Sequence, residues 1–291
     1  LEKIDMIDKK VRIKFLFLVS FLVLAFIFSF SIGRYPIKFF DVIKVITNRI
    51  FYGIIDNSPA STVIWNIRVP RVLCAMLVGA GVSTSGALYQ GLLKNPMVSP
   101  DILGTTQAAA FGSAFGILMY FNFFEITVLS FSLGILSVFV TYTLSKIFRS
   151  DRILGLILTG MMIGSLFSSL ISFVKLVADT ENQLPSITYW LMGSFSSSSY
   201  NNIKIAVLPI ISGIMILYFL RWRINILSLG DEEVKALGMN PVYIRAFIII
   251  AVTMITATCV TLTGIIGWVG LLIPHICRMY IGADNVKLIS S

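Results

Sequence analysis

The dominant constraint on this chain is a succession of apolar runs, each long enough to cross roughly 30 Å of hydrocarbon as a helix. They fall near residues 15–33, 72–93, 102–121, 124–146, 153–177, 203–220, 243–263 and 266–282. Eight such spans predict an all-α, polytopic bundle, because a helix satisfies its own backbone hydrogen bonds where lipid offers none. With 57% hydrophobic and only 13% charged residues, the chain reads as an integral membrane protein. Residues 1–291 form one transmembrane domain, interrupted by a polar loop at 224–241.

The first run follows Lys9, Lys10, Arg12 and Lys14, as a secretory signal would. Its apolar core is about 19 residues long and ends at Gly33 and Arg34 without a small-residue cleavage pattern, so a retained anchor is expected. Basic residues are retained on the cytoplasmic side of short loops. With the amino terminus inside, 15 of the 23 Lys and Arg fall on the inner face, and the even span count leaves both termini cytoplasmic in a cell (plasma or inner) membrane. Topology and anionic headgroups thus account for the net charge of +9. The basic clusters lack the aromatic interleaving of a nucleic-acid surface.

The last run is interrupted in an unusual way. Gly264, Gly267, Gly270 and Pro274 punctuate it, and His275 and Arg278 lie near its end. A broken helix is tolerated in a bilayer only where protein or a water-filled cavity satisfies the freed backbone groups, which points to a transport path. Asp101, Glu125 and Asp151 sit at span edges, so the intramembrane carboxylates typical of ion-coupled carriers are missing. No Gly-x-x-x-x-Gly-Lys-Ser/Thr loop occurs either. If transport is driven, the energy enters from a partner. Cys74, Cys259 and Cys277 lie within spans without metal-ligand spacing and read as packing residues.

A docking place for such a partner is expected at 224–241. Ser228 with Asp231 resembles a capping box, Asp231, Glu232 and Glu233 suit the positive end of a helix dipole, Gly238 suits a left-handed close, and Pro241 prevents continuation. The resulting short helix offers Leu229, Val234 and Leu237 as an apolar contact; a membrane-surface helix is the alternative, disfavoured by three acids in a row. On the opposite side, Arg68 and Arg71 flank Pro70 at the expected start of the second span. Two cations there crowd a helix N-terminus. They serve either lipid phosphates and local capping, or carboxylates on an external protein.

Several short motifs follow one another along the chain: Arg68 to Arg71, Gly79 to Gly81, Ser85 to Gly91, Asn95 with Pro96, and Leu103 with Gly104. Further along come Tyr189 to Ser194, Leu229 to Gly238, and Gly267 to Leu271 with Pro274, His275 and Arg278. In this order they resemble the permeases of ABC importers for iron siderophores, haem and cobalamin. The resemblance implies the bundle of the cobalamin permease, a second permease subunit, two cytoplasmic ATP-binding subunits and an extracytoplasmic binding protein. It implies no cofactor on this chain, with ATP and magnesium on the partner subunit, and no catalysis here. It assigns Arg68 and Arg71 to binding-protein docking, and Ser228, Leu229, Gly230, Asp231, Glu232, Val234, Leu237 and Gly238 to the ATPase contact. Ser150 and Asp151 align with a cytoplasmic gate, although small hydroxyl residues are usual where Asp151 stands. Gly86, Gly267, Gly270 and Pro274 pack the translocation path. The family fold has ten spans, so the last two are expected to be lacking here. The implied cargo is a ferric siderophore, with cobalamin, haem or molybdate as alternatives. An ATP-independent carrier and a non-transport assembly subunit are the other classes left open.

Close helix packing is legible without the family. Gly112 with Gly116 and Gly160 with Gly164 have the spacing that lets backbones approach, and Gly79, Gly81, Ser83, Ser85 and Gly86 thin the second span. Thr253, Thr256, Thr258, Thr261 and Thr263 can bond their own helix carbonyls. His275 reads as bonded to a neighbouring span more readily than as an iron ligand.

Overall fold

The computed structural model describes residues 2–53, 56, 58–147, 152–227, 230–282 and 284–290, with side chains for all of these except residues 2–12, 152, 153, 231 and 290. Among the described residues the regular structure is entirely helical. The order is α1 Glu2–Ser29, α2 Phe39–Phe51, α3 Pro59–Val63, α4 Val69–Leu92, α5 Thr105–Leu118, α6 Phe123–Ser145 and α7 Arg152–Val177. It continues with α8 Gln183–Leu191, α9 Tyr200–Leu227, α10 Asp231–Ala236, α11 Pro241–Thr263, α12 Val269–Ile281 and α13 Asn285–Ser290.

Among the described residues, five helical stretches are long and apolar enough to cross a bilayer: Pro59–Leu92, Phe123–Ser145, Leu154–Val177, Tyr200–Leu227 and Pro241–Thr263. Ile13–Ser29 and Val269–Ile281 are apolar but shorter. The predicted span at 102–121 is corrected to a 3-10 turn, Pro100–Leu103, followed by α5 of 14 residues. At 1.5 Å per residue that helix is about 21 Å long, short of the hydrocarbon thickness. It needs no lipid-facing length, because Thr105, Ala108, Ala109, Ala110, Ser113 and Ala114 are all buried among neighbouring helices. Gly112 lies against the Ser130 backbone of α6 and Gly116 against Ile126, the close approach anticipated from their spacing.

The second predicted span, at 72–93, begins earlier than expected. Helix runs continuously over Pro59–Leu92, with a π-helical turn at Ile64–Arg68 directly before Pro70. The Val69 amide there bonds the Ile64 carbonyl. Proline cannot donate to the preceding turn and its ring crowds it, and the widened turn absorbs that misfit without ending the helix.

The main core lies between α4, α9 and α11, where Tyr89, Leu88, Ile210, Leu217, Ile248 and Ile255 are fully enclosed. One end of the bundle is held by polar links between distant segments. Lys14 donates to the Tyr280 carbonyl and sits 4.9 Å above its ring, joining α1 to α12. Arg278 donates to the Ala87 carbonyl at 2.9 Å, and the Asn285 amide reaches Asn225 at 2.8 Å. Asn225 donates in turn to Asp284 at 2.7 Å. These bonds gather the ends of α4, α9 and α12 with the start of α13, and α10 lies at the same end.

Candidate functional site

Two stretches of irregular backbone meet inside the bundle. The first, 93–104, joins α4 to α5; the second, 264–268, joins α11 to α12. Pro100 of the first touches Gly270 just past the second, and the Gly270 backbone lies directly against Gly86 of α4. A side chain on Gly86 would fall on the Gly270 backbone, and one on Gly270 would press on Pro100 and Val82, so both glycines allow close approach at this crossing. Gly267 has open space around it. Pro274 is buried in α12. Gln90 bridges the two breaks, donating to the Leu271 carbonyl at 3.1 Å and to the Val98 carbonyl at 3.3 Å. Neighbouring protein thereby satisfies backbone that lipid could not.

The turn ending at Gly104 is held by the Asp101 carboxylate, which accepts from Thr106 and, at 3.3 Å, from Ser99. Gly104, at φ 76°, packs on the backbone of Gly160 and Gly164 of α7. A second crossing of glycines closes the other break. Gly193 and Gly264, at φ 75° and 73°, lie against each other, and the Ser194 amide donates to the Thr263 carbonyl at 2.7 Å. Gly193→Ala is therefore expected to cost more than the roughly 1 kcal/mol of an ordinary helix-end glycine, because its methyl would also meet the Ile265 carbonyl. A thermal melt of the purified permease checks this.

Four of the five threonines behave as anticipated, Thr253, Thr258, Thr261 and Thr263 bonding the carbonyl four residues earlier at 2.7 to 3.0 Å. Thr256 does not; among the described residues its buried hydroxyl has no partner, and it lines a small cavity shared with Asp101 and Thr106. His275 is half-buried and, among the described residues, forms no bond to a neighbouring span, which corrects that expectation. The sequence places Asp101 only at a span edge and Gln90 only within the Ser85 to Gly91 stretch, so the bonds these two side chains make come from the structure, although a glutamine inside an apolar run is a visible signal.

The short helix expected in the 224–241 loop is α10, and its two ends differ in how well they follow expectation. Its N-cap is Gly230, at φ 147° and ψ 163°, so the capping box from Ser228 is corrected. Ser228 and Leu229 lie outside the described residues, as does the Asp231 side chain. The close is as anticipated. Gly238 is left-handed at φ 74°, its amide bonds the Lys235 carbonyl at 2.9 Å, and the Met239 amide bonds the Val234 carbonyl at 3.1 Å. That pair of bonds is a Schellman close. Val234, expected as an outward contact, is fully buried in the main core, while Leu237 is 60% exposed and Glu232, Glu233 and Lys235 are exposed beside it. Only six residues long, α10 must spend one apolar side chain on anchoring itself, which leaves the other for a partner.

The two arginines also part company. Arg71 is exposed. Arg68 is 6% exposed, and its guanidinium donates to the carbonyls of Phe30 and Tyr35 in the segment after α1. Gly33 lies so close that a methyl there would be 2.9 Å from the guanidinium. The π turn rotates Arg68 inward, where it clasps the α1–α2 connection. Hydrogen bonds to charged groups contribute roughly 1.5–3 kcal/mol each. Arg68→Ala is thus expected to lower stability by about 3 kcal/mol, and Arg71→Ala by less than about 0.5 kcal/mol; equal shifts in thermal midpoint would refute the clasp. The gate residues Ser150 and Asp151 lie outside the described residues.

This architecture matches known proteins over nearly its whole length. A solved structure of an ABC transporter described as metal-chelate type, in an inward-facing conformation, superimposes with a TM-score of 0.82 at 36% identity, covering 96% of this chain and 84% of that one. The molybdate import system permease protein MolB of Haemophilus influenzae is 37% identical over 272 residues, 94% of this chain and 80% of that protein. A protein of Helicobacter pylori strain J99 named Probable iron chelatin transport system permease protein is 37% identical over 236 residues, 81% of this chain and 71% of that one. The FecCD transport family model matches residues 21–291. With broken helices meeting at depth, an anchored helix at one end and these likenesses, the chain belongs to the FecCD transport family and is the membrane-spanning permease subunit of an ABC importer.

Proposed function

We propose that the permease carries a metal chelate, a ferric siderophore first, into the cytoplasm, driven by a separate pair of ATP-binding subunits. The observation that carries the coupling part is α10, whose Val234 is locked into the core while Leu237 and the charged residues around it face outward. A rigid, partly apolar knob suits a cleft on a moving partner, and movement of that partner shifts the balance between access states. The end bearing α10 is cytoplasmic in this reading, with both termini of the chain on that side. A second permease subunit completes the path, Arg71 receives an acidic external binding protein, and the segment around Ser150 and Asp151 gates the exit.

The chelate reading is supported by the metal-chelate description of the similar structure and by the name of the Helicobacter relative. Molybdate is the second reading, favoured by the greater overlap with the Haemophilus protein. The test is uptake by permease-null cells given this chain with its ATP-binding and binding-protein partners. Labelled iron is expected to accumulate when supplied as a siderophore complex. Accumulation of labelled molybdate without iron selects the second reading, and uptake that persists without the ATP-binding subunit removes ATP coupling. In the same cells, Arg71→Glu is expected to lower uptake at least tenfold; unchanged uptake would remove the docking role.

A further inference from the structure

The fold carries Asp101 into the bundle, where it lines a cavity of about 20 Å³ between the 93–104 break and α11. Thr106, Thr256 and Thr263 share that cavity. At 1.5 Å per residue, Thr256 stands about 22 Å along α11 from Pro241 and about 10 Å short of Thr263, so the site lies at depth. A carboxylate there is costly without a counter-charge. Its two oxygens accept only from the neutral hydroxyls of Thr106 and, at 3.3 Å, Ser99. No Lys, Arg or His is among the residues lining the cavity, and the nearby start of α5 supplies only about half a positive charge. Hydroxyl oxygens face the same space. Thr106 gives its proton to Asp101 and Thr263 gives its own to the Cys259 carbonyl at 3.0 Å, which leaves their lone pairs free. The Thr256 hydroxyl, on a residue 3% exposed, is without a partner among the described residues.

We propose that this cavity binds a monovalent cation of the size of sodium. The Asp101 carboxylate balances its charge, and the hydroxyl oxygens of Thr106, Thr256 and Thr263 supply neutral ligands. All are hard oxygen donors, as an alkali cation requires. The volume admits one body the size of a water molecule, which favours sodium over potassium. One carboxylate matches one positive charge, whereas calcium and magnesium sites draw on six or more oxygens or retain several waters, for which the cavity has no room. A single water would fill the same space but leave the carboxylate uncompensated. Asp101 and Ser99 are half-buried, so an ion can reach the site from one side. Once bound, it ties the 99–106 turn to α11 and so pins the place where the two broken segments meet. Broken helices in membrane proteins hold coupling ions at such points; here the ion's effect is on the stability of the crossing and does not depend on the cargo or on ATP coupling.

Thermal midpoints of the purified permease in sodium, potassium and choline chloride at equal ionic strength test this directly. Sodium is expected to raise the midpoint above that in choline by about 5 °C or more, and potassium by less than half as much. Asp101→Asn is expected to lose the sodium response. Thr256→Val has a signature of its own and serves if Asp101→Asn fails to fold. In choline it should be at least as stable as the parent, because it removes an unpartnered buried hydroxyl at nearly constant shape. In sodium it should need roughly tenfold more salt for the same rise, the loss of one good ligand. Equal midpoints in the three salts would overturn the proposal and leave the cavity to one water. So would a full sodium response in Asp101→Asn, or an unaltered sodium requirement in Thr256→Val. Because melting measures no transport, failure here leaves the import function standing.

Discussion

Gly86→Ala is expected to disrupt the permease, whereas Gly79→Ala, two turns earlier on the same helix, is expected to be neutral. At Gly79 a methyl would meet nothing within 4 Å, and alanine favours helix by up to about 1 kcal/mol over glycine. At Gly86 the same methyl would fall on the Gly270 backbone. Backbone cannot rotate aside as a side chain can, so α4 and α12 must separate. Overpacking typically costs 1–3 kcal/mol where side chains adjust, and this contact leaves none to adjust, so a cost of more than about 3 kcal/mol is expected. The separation would also loosen Gln90 from Leu271, and with it the bridge between the two broken segments. Thermal midpoints by fluorescence-detected size exclusion check both variants. A Gly86→Ala protein as stable as Gly79→Ala would mean that the two backbones do not meet.

The second large effect divides α10 into its two faces. Leu237→Asp is expected to abolish ATP-driven uptake, by at least tenfold, and to leave the isolated permease within about 0.5 kcal/mol of its original stability, since Leu237 is 60% exposed. Partner surfaces concentrate binding in a few apolar anchors, each contributing roughly 2 kcal/mol or more. Val234→Asp is expected to act differently. It places a carboxylate at a fully enclosed position, at a cost of several kcal/mol, and should lower stability and uptake together. Paired measurements of melting and uptake separate the two. If Leu237→Asp transports normally with its ATPase bound, α10 is not the point at which force enters.

The arginines illustrate why charge in a sequence does not reveal its direction. Arg68 and Arg71 are three residues apart and were expected to share a role, yet the π turn before Pro70 sends one inward to carbonyls 33 and 38 residues away. Periodicity assumes a regular helix, and a single widened turn shifts the face presented by the residues beside it. The same limit applies to α10. Val234 and Leu237 are one turn apart and chemically alike, and only the packing of the loop against α9 and α11 makes one an anchor and the other a contact.

The all-helical membrane class needed only composition and the order of apolar runs, because bilayer thickness and backbone hydrogen bonding leave a chain of this kind few alternatives to helix, while the family resemblance rested on short motifs such as Arg68 to Arg71, Tyr189 to Ser194 and Gly267 to Leu271. The left-handed close at Gly238 follows from local chemistry alone and was legible for that reason, whereas the left-handed turns at Gly104 and Gly264 emerged only in the structure. Tertiary structure decided the rest: that α5 is a buried plug too short to cross, that Gln90 spans two breaks far apart in the chain, and that Gly86 meets Gly270. Those outcomes depend on contacts between residues 8 to 184 positions apart, and in lipid, where apolar burial hardly distinguishes one helix pairing from another, shape and backbone satisfaction make that choice.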